Sequence, residues 1–178
     1  MRARIVLWMV FTELSCGSGL HAQPAKVVGS LIVDTTRIPL QHVMAVSYET
    51  PSQGRLISVL VSDRPVNPKT FQDYTRIGPG ERYVAGIVTS AWVTMHNDKE
   101  LSAFSFTIRP DRTLMLNDVL VGGDDGRFGL LDNYLVVELT SNGARISGRL
   151  RTTEPIVDAT QKVGLDVTFD AAVTPLVK

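Results

Sequence analysis

Val163-Gly-Leu-Asp-Val-Thr-Phe-Asp-Ala-Ala-Val173 alternates along its whole length. Leu165, Val167, Phe169 and Ala171 share one parity, and Asp166, Thr168 and Asp170 the other. Successive side chains of an extended chain point to opposite faces, so this period of two reads as a strand with one face in a core and one in water. A helix would spread the same residues around its circumference. Just upstream lies the clearest hairpin in the chain. Tyr134 to Thr140 reads as a strand, Asn142-Gly143 as a favoured tight-turn pair, and Arg145 to Arg151 as the return strand. Thr152 to Thr160, with Glu154-Pro155, reads as a loop.

The same pattern runs through the N-terminal half. Val27 to Val33 is β-branched and apolar and stops at Asp34-Thr-Thr. In Gln41 to Tyr48, His42, Met44, Val46 and Tyr48 point one way and Val43, Ala45 and Ser47 the other. Arg55 to Ser62 alternates too, with Ile57, Val59 and Val61 inward, while Leu56 and Leu60 predict a strand covered on both faces. Tyr83 to Met95, rich in Val, Ile, Thr and Trp, reads as a strand. His96 to Glu100 reads as its hairpin loop and Leu101 to Ile108 as the return strand, with Phe104 and Phe106 in the core. Thr113 to Val121 follows as a further strand. One helix is expected near residues 68–77: Asn67 can cap it, Pro68 suits its first position and Gly78 can end it. The expectation is an all-β chain, a single antiparallel β-sandwich or barrel of about 8–10 strands with one short helix.

The first 22 residues read differently. Met1-Arg-Ala-Arg4 is basic, Ile5 to Phe11 is an apolar run, and Ala22 precedes Gln23. Cationic start, apolar centre and small exit residue are the three parts of a secretory signal peptide. Residues 1–22 are therefore expected to be removed, leaving residues 23–178 as one exported β-sandwich-like domain, periplasmic or extracellular. The run is too short to span a bilayer, so no stable transmembrane segment is expected in the mature chain. Glu13-Leu-Ser-Cys16 offers a second route, in which Cys16 would be lipidated and the protein membrane-anchored, although Glu13 stands where a lipobox places Leu.

Composition narrows the chemistry. Cys16 is the only cysteine, so a domain starting at Gln23 has no disulfide, redox pair, thiolate metal site or cysteine nucleophile. The chain holds 18 basic and 18 acidic residues. Without Arg2, Arg4 and Glu13 these become 16 and 17, a net of −1. Lys and Arg stand singly along the sequence, which argues against nucleic-acid binding and against polybasic attachment to membranes.

Short strings spread over about a third of the chain resemble a loose group of uncharacterised exported bacterial proteins. They are Gly29-Ser-Leu-Ile-Val, Ile38-Pro-Leu-Gln-His-Val-Met-Ala-Val, Val59-Leu-Val-Ser-Asp-Arg-Pro-Val66, Ile146-Ser-Gly-Arg-Leu and Asp166-Val-Thr-Phe-Asp-Ala-Ala-Val173. The resemblance implies an exported β domain and no particular activity.

No nucleophile elbow, phosphate loop or dinucleotide fingerprint occurs, and no cofactor is implied. His42 and His96 lie 54 residues apart, without ligand spacing. Asp118, Asp124, Asp125 and Asp132 lie in or beside a glycine-rich stretch and are the candidate calcium ligands, although Gly-Asp-Asp-Gly also makes a plain turn. The functional expectation is a non-enzymatic binding or interaction module for a protein or small-molecule partner. Its alternatives are a small barrel carrying an apolar ligand and a hydrolase with an unrecognised carboxylate site.

Overall fold

The computed structural model describes residues 25–76, 88, 91, 92, 94, 101–121, 127–129, 134–158 and 161–176. Eleven strands and one helix are defined among them: β1 (Lys26–Val33), β2 (Thr36–Pro39), β3 (His42–Thr50), β4 (Gly54–Ser62), α1 (Pro68–Tyr74), β5 (Ala103–Ile108), β6 (Leu114–Leu120), β7 (Arg127–Gly129), β8 (Leu135–Ser141), β9 (Arg145–Thr152), β10 (Ile156–Asp158) and β11 (Gln161–Pro175). The chain is mostly β, as its alternation predicts. The count exceeds ten because β2, β7 and β10 are pieces of three or four residues. Strand β10 lies inside the stretch read as a loop, where it pairs with the start of β11 at Ile156↔Val163.

Strand β11 joins the sheet together. Val163 to Asp170 pair antiparallel with β1, in register from Val163↔Val33 to Asp170↔Lys26. The opposite edge pairs with β9 from Asp166↔Arg151 to Ala172↔Arg145. Its last residues, Val173 to Pro175, run parallel to Ala45 to Ser47 of β3. One half of the sheet is therefore β2-β1-β11-β9-β8, and the other continues as β11-β3-β4-β5-β6-β7.

The two halves share one core. Leu165, Val167, Phe169 and Ala171 point inward with Leu31, Ile146 and Leu150, and meet Val59, Val61, Phe104, Phe106 and Val119. Phe106 packs edge-on to Phe169 at 5.7 Å and stacks on Phe104 at 5.6 Å. A second cluster covers the other face of β3, β4 and β5, built from Val46, Tyr48, Leu56, Leu60, Phe71 and Trp92. Strand β4 is thus buried on both sides, as its double apolar pattern predicts.

Two local readings change. Tyr83 to Met95 was expected as a strand, but its described residues Val88, Ala91, Trp92 and Thr94 are helical. Val88, Ala91 and Trp92 sit at i, i+3 and i+4, which is one face of a helix, and all three are buried. Trp92 stacks on Phe71 of α1 at 3.8 Å and donates from Nε1 to Ser58 Oγ at 2.9 Å. Packing against β4 overrides the β propensity of this segment. Helix α1 itself begins as expected, with Asn67 Oδ1 accepting from the Lys69 N–H, but it ends at Tyr74. The Thr75 N–H and hydroxyl both donate to the Phe71 carbonyl, and the next N–H, of Arg76, reaches back only three residues to Asp73, so the last turn tightens and ends there.

The β8–β9 hairpin is present with its turn one residue later than expected. The Asn142 N–H donates to the Arg145 carbonyl, so Gly143 and Ala144 are the central pair. Gly143 supplies the positive φ of 83° that the first central position requires. Asn142 closes the turn by accepting from the Ala144 and Arg145 N–H groups.

Candidate functional site

The edge of β11 that pairs with β1 changes partner part-way along. Lys26 is the last β1 residue on it, opposite Asp170, and β3 begins only at Val173. Val173 donates its N–H to the Ala144 carbonyl on the other edge, so β3 and β1 occupy the same side. Between them, Ala171 and Ala172 have no strand partner on this side among the described residues. The first residues of β3, His42 to Met44, pair among the described residues only with β4.

The strands fork here and leave a cleft of about 330 Å³. Ala25, Ala45, Ala171 and Ala172 line it with small side chains, and these leave the gap open. Gln41, His42, Ser62 and Thr174 bring polar groups, while Pro65, Val66 and Pro68 wall it where the chain leaves β4 for α1. His42 is the one titratable side chain in this lining among the described residues. It faces Ser62 across the β3–β4 pair, whose hydroxyl donates to the Arg64 carbonyl at 2.8 Å. The Ser62 proton is thus directed away from His42, and no lining carboxylate orients the imidazole. This arrangement suits recognition of uncharged hydrogen-bonding groups better than proton transfer. A second groove, of about 420 Å³, runs between Arg112 to Leu114 and the β8 residues Val137 and Leu139. It is shallower, and Arg112 and Thr113 are its polar lining residues.

Of the calcium candidates, Asp118 is described: it is buried on β6, in register with Ser105 and Gly129. Asp124, Asp125 and Asp132 lie outside the described residues, as do His96 and Cys16. Among the described residues no three His, Cys, Asp or Glu side chains gather as a metal site. No described helix is long and apolar enough to cross a membrane. The fork was not anticipated from sequence. Its signal is the adjacent Ala171-Ala172 pair, the only place in β11 where two small residues follow each other.

Beneath the helical layer a buried polar chain crosses the sheet. Ser58 Oγ accepts from Trp92 and from Thr107, the latter at 3.1 Å. Burial pushes the neighbouring Tyr48 phenol up to about 12, with Thr107 pulling the other way. The Trp92 N–H and the Ser58 and Thr107 hydroxyls pair with one another and read as structural.

The chain matches no protein-family profile, and neither a curated protein sequence nor a solved structure shows significant similarity to it.

Proposed function

We propose that this protein is an exported binding module whose fork cleft takes up an extended, uncharged peptide segment by strand addition. The observation that carries the reading is the pair of strand edges, His42 to Met44 and Ala171 to Ala172, which have no strand partner among the described residues where they flank a neutral cleft. Main-chain groups on such edges are ready to pair with an incoming strand, and the alternating pockets beside them select its side chains. The neutral lining favours binding over a carboxylate hydrolase. The two halves are read as a sandwich hinged on β11, because their inward faces share one core while β2, β7 and β8 stay as edges. Rings meeting at the centre favour this module over a barrel with an open interior. Export rests on the basic, apolar and small-residue plan of residues 1–22.

The test is calorimetric titration with short peptides of uncharged, β-prone sequence, against the parent chain and Ala172→Leu. Binding that falls at least tenfold in A172L, with unchanged circular dichroism, supports the proposal. Absence of peptide binding, or equal affinity in A172L, refutes it.

A further inference from the structure

Lys and Arg stand singly in the sequence, but strand pairing collects them. In the half-sheet β2-β1-β11-β9-β8, the face turned from the core carries Lys26, Arg37, Arg145, Arg149, Arg151 and Lys162. Its described carboxylates are Glu138, Asp166 and Asp170 on the strands, with Asp34 at its rim accepting from the Lys162 N–H. Arg145 holds Asp170 at 2.9 Å and Arg149 holds Asp166 at 3.1 Å. Lys26, Arg37, Arg151 and Lys162 form no ion pair among the described residues. A chain with 18 charges of each sign thus presents a cationic face.

The same face carries unusual apolar exposure. Val28 is 76% exposed and Val157 67%, and with Tyr74 they are the large apolar side chains standing in water among the described residues. Val28 is in register with Thr168, and Val157 with Lys162, so both project from this outer face.

We propose that this face docks on an anionic lipid bilayer surface. Cations alone would suit any polyanion. Exposed valines set among cations suit a bilayer, where the charges meet headgroup phosphates and the apolar side chains enter the interfacial layer. The inference is independent of the peptide reading, because none of Val28, Arg37, Arg151, Val157 and Lys162 lines the fork.

The test is co-sedimentation of the protein, purified from an exporting host, with vesicles of phosphatidylcholine alone and of equimolar phosphatidylcholine and phosphatidylglycerol. The parent should bind the mixed vesicles, bind phosphatidylcholine weakly, and lose affinity as salt rises. Each cation near an anionic surface contributes about a fivefold gain, so Arg37→Gln with Arg151→Gln should weaken binding roughly 25-fold. Val28→Ser should weaken it further without changing the salt dependence. Circular dichroism and urea midpoints of the variants identify any loss of fold, in which case Lys162→Gln, on an exposed strand position, replaces the failed variant. Equal binding to both vesicle types, no effect of the arginine pair, or full competition by soluble polyglutamate would each overturn the proposal.

Discussion

Truncating Phe169 to Ala tests the packing of β11 most directly. The ring is 2% exposed and meets Phe106 edge-on at 5.7 Å, in the core shared by both halves of the sheet. Removing a buried phenyl group loses its transfer free energy and leaves a cavity, which together cost about 3–5 kcal/mol. The aromatic pair accounts for about 0.5–1.5 kcal/mol of that. Thr168, the next residue, projects into water, and its change to Ala should stay within about 0.5 kcal/mol. With a urea slope of about 2 kcal/mol/M for a domain of this size, Phe169→Ala should lower the midpoint by roughly 2 M, and Thr168→Ala by at most a few tenths. The assay is equilibrium unfolding followed by near-ultraviolet circular dichroism. Phe169→Leu, a smaller truncation, should fall between the two and keeps the series readable if the Ala variant is unfolded. Equal midpoints for positions 168 and 169, or a larger loss at 168, would refute the inward assignment of Phe169 and with it the shared core.

Gly148→Ala should destabilise by more than about 2 kcal/mol in the same melts, because the added Cβ would stand 2.3 Å from the Glu138 carbonyl oxygen of the paired strand. Arg55→Met should cost about 1 kcal/mol, since Arg55 joins the Ser47 hydroxyl at 3.1 Å and the Gly143 carbonyl at 2.9 Å, tying the β8–β9 turn to β3 at a solvent-exposed site. Tyr48, raised from 10.0 to about 12, should be missing from the phenolate absorbance that rises near pH 10 and return to it in Tyr48→Phe difference spectra only above pH 11. A phenol raised on folding holds its stability contribution below pH 10 and loses it as pH climbs towards 12, so alkaline unfolding should be postponed in Tyr48→Phe. The Arg149 guanidinium holds the Asp166 carboxyl below its usual range; that contribution is present above about pH 4 and is lost as pH falls, so Asp166→Asn should flatten the acid side of the stability profile.

Much of the fold is local and was legible. The period of two fixes the inward face of β11, the two-sided apolar pattern of β4 announces a layer on each side, and Asn67-Pro68 marks the start of α1. Val88, Ala91 and Trp92 were misread because β-branched residues weigh towards strand, while the i, i+3, i+4 burial that decides it depends on β4 and Phe71 being underneath. The fork could not be read, because it exists only where β1 stops short of β3 on the edge of a strand more than a hundred residues away. The cationic face was hidden for the same reason. Arg37 and Arg151 are far apart in sequence, and both lie near enough to Asp166 to help hold its carboxyl low.

The position of β11 in the chain sets the order of assembly. Its partners β1, β3 and β9 are all synthesised before it, yet each lacks its β11 pairing until residues 161–175 exist. Closing β1 onto β11 spans from Lys26 to Asp170, which gives the chain a high contact order. Loop closure over such distances makes folding slow, on the millisecond-to-second scale of β proteins rich in non-local pairing. Until residues 161–175 are in place the chain holds three separate pieces with open edges, β2-β1, β9-β8 and β3-β4-β5-β6-β7, and its shared core is incomplete. Deleting β11 should leave a collapsed, aggregation-prone species in place of a smaller folded domain.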